Sequence, residues 1–233
     1  MGGKSKIAKQ VIEKFPTGYD TFVEPFVGAG NIFFRIPIEM KASKNVINDL
    51  DKDIYVIMKE LKERGKALDK TIDRSPIKTR EDFYKNKENK DPESLIRKYK
   101  YSFFGNGRTY NNSKGDDYIK TDFSQFEDKL KGVVILNQSF EKVIKKYDSS
   151  KTFFYLDPPY EKIGQKDYVH YIEPEKVFEA LKNIKGKFLL SYNDSPNIRD
   201  LFKNYKIETI KTSYEHTQNT EKRIKNELLI TNY

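Results

Sequence analysis

One stretch limits the fold more than any other. Thr21-Phe22-Val23 is a short apolar run that opens directly into Glu24-Pro25-Phe26-Val27-Gly28-Ala29-Gly30. A buried strand ending in glycines lets the backbone come close to a ligand, and it is a common start for a doubly wound sheet. The flanking segments keep that rhythm. Ile7, Ala8, Val11, Ile12 and Phe15 recur at helical spacing before Pro16. Asn31 is placed to cap a helix through Ile32, Phe33, Phe34 and Ile36. Asn45 to Asn48 forms a second strand, and Asp49 precedes a helix near Lys52–Arg64. Strand, glycine turn, helix and strand in this order open an α/β fold.

From Lys62 to Lys131 the chain becomes charged and loop-rich, with one helix candidate around Glu93–Tyr101. An inserted helical and loop subdomain fits better here than further βαβ units. From Val133 the alternation returns. Val133–Leu136, Thr152–Leu156, Lys187–Tyr192 and Lys206–Ile210 form strands, and Glu175–Ile184 forms a helix. A further helix opens at Ser195-Pro196, and Glu227–Thr231 closes the sheet as the partner of a hairpin. The expected architecture is a Rossmann-like α/β sheet built from residues 1–61 and 132–233, interrupted by an insertion at 62–131.

Composition narrows the function classes. None of the 233 residues is a cysteine and only two are histidines, which excludes disulfides and thiolate metal sites and disfavours a His-built zinc site. No apolar run approaches the ~18 residues of a membrane span, and Met1–Lys4 lacks the apolar stretch of a secretory signal. A cytoplasmic protein is expected. The net charge of +9 fits a nucleic-acid partner, and it fits equally a lysine-rich proteome.

The sharpest chemical signal is Phe154-Tyr155-Leu156-Asp157-Pro158-Pro159-Tyr160. An apolar strand here delivers an acid, two prolines and an aromatic to its carboxyl end, where open α/β sheets bind ligands. Prolines lack amide hydrogens, so their carbonyls remain to accept. An exocyclic amine such as that of adenine has two N–H donors, which the Asp157 carboxylate and one Pro carbonyl can take together. Tyr160 can stack on the base. A proline-rich strand-to-loop turn is the plainer alternative.

The glycine turn alone is a weak signal. Asp49, nineteen residues beyond Gly30, stands where a carboxylate can accept both hydroxyls of a ribose, although it could equally cap the following helix. Phe33 occupies the place of the third glycine of a dinucleotide fingerprint, which argues against a nicotinamide oxidoreductase.

At this point the chain resembles a known family, the alpha group of adenine-specific, Dam-like DNA methyltransferases. Gly2-Gly3-Lys4 looks like the family's N-terminal cofactor motif, Glu24–Gly30 like its methionine-binding motif, and Ile47-Asn48-Asp49-Leu50 like its ribose-binding acid. Gln138-Ser139-Phe140 sits where the cofactor's adenine is flanked, with Gln138 in a place where many members carry an acid. Asp157–Tyr160 resembles the family's DPPY motif, and Leu189–Asn193 and Asn226–Tyr233 resemble its later strands. The resemblance implies transfer of a methyl group from S-adenosylmethionine, leaving S-adenosylhomocysteine, to the amino group of a flipped adenine in duplex DNA, without a metal. It places Lys4, Phe26, Gly28, Gly30, Asp49, Phe140 and Asp157 around the cofactor, and Asp157, Pro158, Pro159 and Tyr160 at the adenine. Members often act as monomers.

Tyr99 to Gly115 carries Lys100, Arg108 and Lys114 with no acid, together with Asn106, Tyr110, Asn111 and Asn112. Arginine suits guanine, asparagine suits adenine, and an aromatic can wedge where a base leaves the stack. These residues form either a DNA-reading segment, as the resemblance implies, or a solvated loop. Lys211–Lys225, with His216, Lys222 and Arg223, is equally a basic hairpin over phosphates or a solvated loop. Cytosine-N4 or RNA-adenine methylation, and a non-catalytic DNA-binding relative, are the competing readings.

Overall fold

The computed structural model describes residues 4–102, 105, 107–114, 116–159, 171–214 and 223–233. They divide into two compact units. The larger comprises residues up to Leu50 together with Gln138–Tyr233, and the smaller runs from Asp51 to Asn137.

The larger unit is built around a central strand, Thr152–Leu156, that is buried along its whole length. β1 (Thr21–Glu24) pairs in parallel with β2 (Lys44–Asn48) on one side and β4 (Thr152–Leu156) on the other, and β4 pairs in parallel with β5 (Lys187–Asn193). β6 (Lys206–Tyr214) and β7 (Arg223–Thr231) form an antiparallel pair, and β7 lies antiparallel to β5. Six strands thus run in the order β2-β1-β4-β5-β7-β6. Every residue of β4 is buried, as expected of a strand covered on both faces. Its Phe153, Phe154, Tyr155 and Leu156 are fully enclosed, a burial that contributes about 1.5–3 kcal/mol per large apolar side chain. Helices α1 (Lys4–Ile12), α6 (Phe140–Tyr147), α7 (Pro174–Leu181) and α8 (Pro196–Leu201) complete the unit. Ser195 caps α8 through its side chain.

One expected helix is absent. After Gly30 two short 3-10 turns form, at Phe33–Arg35 and Ile38–Met40, and Asn31 does not cap the first. Ile36, which precedes Pro37, is extended at ψ 121°, and the proline ring disfavours helical geometry at that position. The first turn therefore ends there.

In the smaller unit α2 (Lys52–Thr71) buries Ile54, Ile57, Met58, Leu61 and Leu68. Asp51 caps it, accepting from the amide of Asp53 at 2.9 Å. The helix is interrupted at Arg64 (φ −141°), and the Lys66 amide donates to Glu127 Oε2 at 2.9 Å. A side chain inserted in the helical ladder in this way is a recognised cause of a kink. Gly65 sits at the kink because a Cβ there would lie 2.9 Å from the Phe123 carbonyl oxygen. α4 (Pro92–Lys100) matches the expected helix, while α3 (Arg80–Lys87), α5 (Ser124–Leu130) and, in the larger unit, α6 were not expected. β3 (Val134–Leu136) ends the unit, and the boundary expected at 62 falls inside α2. No helix among the described residues is long and apolar enough to cross a membrane.

Candidate active site

Because β1, β4 and β5 are parallel, their carboxyl ends share one edge of the sheet. Glu24 ends β1, Asp157 follows β4, and Ser191–Asn193 end β5. Ligands of open α/β sheets bind along this edge.

At the tip of β1 the chain turns through Gly28 (φ 49°) and Gly30 (φ 69°), conformations that side chains rarely adopt. A Cβ on Gly30 would meet the Phe34 ring at 2.4 Å, whereas in front of Gly28 there is open space. The Gly28 amide donates to Asp49 Oδ2 at 2.8 Å, fixing this carboxylate at the end of β2. The cap on α2 belongs to Asp51, so the capping alternative for Asp49 is not realised. Buried Asn48 holds the neighbouring loops. Its amide donates to the Pro25 and Gln138 carbonyls at 2.9 Å each, and its oxygen accepts from the Gln138 amide at 2.9 Å. That places Phe140 within 5.2 Å of Phe26, centroid to centroid. Phe26, Gly28, Gly30, Asp49 and Phe140 are thereby brought together.

Lys4 lies elsewhere on the same edge, within an ionic cluster. Its ammonium donates to Ser191 Oγ at 2.5 Å and to Glu227 Oε1, and it is 3.2 Å from Asp157 Oδ1. Ser191 in turn donates to Glu227 Oε1 at 2.7 Å. Burial works against the charge on Lys4, but Asp157 and Glu227 outweigh it and hold its pKa above the ordinary lysine value. Glu24 is wholly buried. Burial, reinforced by the charges of Asp157 and Asp49 and opposed by the Phe33 amide, raises its pKa well above the usual carboxylate range. Its Oε2 has no hydrogen-bond partner among the described residues.

Pro158 is buried and Pro159 half-buried directly after Asp157, and Tyr160 lies outside the described residues. The set fits a cofactor that carries a nucleoside. There is a carboxylate held in place by the Gly28 amide, open space before Gly28, and a buried carboxyl oxygen with no described partner.

The segment expected to meet DNA belongs to the smaller unit. Tyr110 is anchored, with its hydroxyl donating to the Ile77 carbonyl at 2.7 Å and its ring 5.6 Å from Phe83. Asn111 accepts from Ser113 Oγ at 2.7 Å, and its own amide donates to the Tyr101 carbonyl at 2.9 Å. These two residues shape the loop. The Lys100 ammonium is 3.7 Å from Asp117, and Lys114, whose pKa is lowered by burial and then by Lys100, donates to the Lys100 carbonyl at 3.4 Å. Arg108 is partly exposed, and Asn106 lies outside the described residues. The basic loop expected at Lys211–Lys225 is in part strand, because β6 runs to Tyr214 and β7 begins at Arg223. His216 and Lys222 lie outside the described residues.

Reading the sequence did not single out Asn48, Ser191 or Glu227. Each is buried, and each directly adjoins an apolar run, Val46–Ile47, Phe188–Leu190 or Leu228–Ile230; that adjacency is the signal that could have found them.

Residues 1–216 match the family model described as D12 class N6 adenine-specific DNA methyltransferase. A type II methyltransferase, M1.LlaDCHI of Lactococcus lactis subsp. cremoris, is 24% identical over 100% of this chain and 93% of its own. A DNA adenine methylase of Haemophilus influenzae is 25% identical over 98% of this chain and 90% of its own. Among solved structures, an RNA methyltransferase from Pyrococcus horikoshii described as putative superposes with a TM-score of 0.46 at 7% identity, covering 97% of this chain and 80% of the other.

Proposed function

Since this chain belongs to the D12 class of N6 adenine-specific DNA methyltransferases, we propose that its reaction takes place at the sheet edge holding Asp49 and Asp157, in a Dam-like enzyme of the alpha group acting at a specific duplex site. The observation that carries this reading is the convergence of the Gly28-bound Asp49 carboxylate and the Asp157-Pro158-Pro159 tip on one edge.

S-adenosylmethionine supplies a methyl group already activated on a sulfonium. Asp49 would accept from the ribose hydroxyls, and Phe26 and Phe140, whose rings lie 5.2 Å apart, would pack against the nucleoside. The half-exposed Leu50 adds apolar surface beside them. The adenine amine cannot be reached inside a stacked duplex, so the base is extruded. Asp157 and the Pro158 carbonyl then accept its two N–H groups, with Tyr160 stacking on the ring. Two acceptors on one amine raise electron density on nitrogen and orient its lone pair. Rate therefore comes from positioning and from fixed dipoles rather than from a base that removes a proton first. Residues 62–131 carry target recognition, with Lys100, Arg108 and Lys114 as its cations. The enzyme works as a monomer in the cytoplasm of a bacterium or a phage-infected cell.

The test is transfer of a labelled methyl group to duplex DNA, single-stranded DNA and RNA side by side, followed by nucleoside analysis. N6-methyladenine formed preferentially in duplex DNA is expected. N4-methylcytosine, or preferential labelling of RNA, would overturn the reading.

A further inference from the structure

The cluster at Lys4 contains more charge than a purely structural link requires. A lysine ammonium has three N–H donors, and three acceptors face this one: Ser191 Oγ, Glu227 Oε1 and Asp157 Oδ1. That geometry ties Lys4 to β5 and β7 and to the tip of β4. Two carboxylates flank this one ammonium. The two acids are not equivalent. Glu227 is 5% exposed and Asp157 is 22% exposed, at the tip where substrate arrives. Glu227, enclosed and bonded also by Ser191, is the natural counter-ion of Lys4. Asp157 is held through Oδ1 by an ammonium that Glu227 and Ser191 fix in place. A buried ion pair of this kind is a weak source of stability, since well-packed apolar residues commonly do as well.

We propose that Glu227 and Ser191 are positioning residues of the methyl-transfer site, which act through Lys4 to hold the Asp157 carboxylate in one orientation toward the adenine amine. The inference rests on the assignment of Asp157 as an acceptor of that amine. Neither residue touches substrate. Their contribution is the fixed place of Lys4, one bond removed from it.

The test compares Glu227→Gln, Ser191→Ala, Lys4→Met, the double variant Lys4→Met/Glu227→Gln, and Asp157→Asn in full-length protein. Single-turnover methylation of duplex DNA is measured as a function of pH, alongside thermal unfolding and separate titrations of S-adenosylhomocysteine and DNA. Glu227→Gln is expected to slow the single-turnover rate at least tenfold, with both dissociation constants within about threefold of the parent. The alkaline limb of its pH profile should move to lower pH, because Lys4 has lost one of the carboxylates that hold its proton. Ser191→Ala should show a smaller loss in the same direction. Lys4→Met strands a buried acid and should lower the melting temperature. The double variant removes both charges, so it should recover the melting temperature yet stay slow. A double variant that regains the parental rate together with stability would reduce the cluster to structural glue and overturn the proposal. Glu227→Gln at full rate with an unmoved pH profile, beside an inactive Asp157→Asn, would overturn it as well and leave the Asp157 assignment intact. Asp157→Asn at the parental rate would instead overturn the assignment beneath it.

Discussion

The sheet edge of the larger unit and the arginine ties of the smaller unit use polar side chains in opposite ways. Along that edge Asn48 and Lys4 are enclosed and multiply bonded. Asn48 makes three bonds to two backbone segments, and Lys4 meets three acceptors inside the sheet edge. In Asp51–Asn137 the ties run from arginines near the surface to loop carbonyls. Arg74 donates to Ile119 and Thr121 at 2.9 and 2.8 Å, and Arg97 donates to Ser75 at 2.9 Å. A buried group has no water to replace a lost partner, whereas a surface group does. The larger unit should therefore be intolerant of single-atom changes along its edge, and the smaller should yield gradually.

Substitutions at matched positions sharpen that contrast. Asn48→Ala removes three hydrogen bonds, one of them buried and two part-buried, and it should cost about 3 kcal/mol in urea unfolding. A cost below about 1 kcal/mol would mean that water repairs the site and that the edge is looser than described. Gly30→Ala combines a positive φ with a clash against Phe34, and should cost about 2 kcal/mol while weakening binding of S-adenosylhomocysteine. In the smaller unit Arg74→Met should cost only about 1 kcal/mol, with faster amide exchange confined to residues 117–123. A global loss there comparable to that of Asn48→Ala would break the comparison.

The smallest effect concerns pH. Glu24 has a folded pKa raised above its ordinary 4.5 by burial, so the unfolded chain gives up this proton more readily. The stability contributed by neutral Glu24 is fully present below pH 4.5 and is lost as pH rises from there toward the folded value. Glu24→Gln should abolish that part of the decline, flattening the unfolding free energy between pH 5 and pH 8 relative to the parent. Parallel curves for the two proteins would show that Glu24 is not a neutral buried acid.

The same contrast explains what the sequence made legible. Phe22–Val23, Val46–Ile47, Thr152–Leu156 and Phe188–Leu190 are strands buried on both faces, and such strands announce themselves as unbroken apolar runs. Asp157 stood out because an acid followed by two prolines cannot extend such a run. The helix expected after Asn31 failed because its apolar spacing was weighed without the effect of Pro37 on Ile36. α3 went unread because it buries only Phe83, so no periodic apolar face exists to detect. α6 carries Phe140, Val143 and Ile144 at helical spacing and was legible, but Phe140 drew attention as a cofactor neighbour instead. Ser191 and Glu227 could not be paired from sequence, because their contact depends on the register in which Asn193 faces Glu227 across β5 and β7.

The most direct measurement is single-turnover methylation of duplex DNA by Asp157→Ala under saturating methyl donor, with unfolding followed in parallel. Lys4 keeps Glu227 and Ser191 in this variant, so the protein should fold with nearly the parental midpoint and yet form no detectable N6-methyladenine. Methylation at the parental rate by the folded variant would show that the amine is gripped elsewhere and would contradict the account.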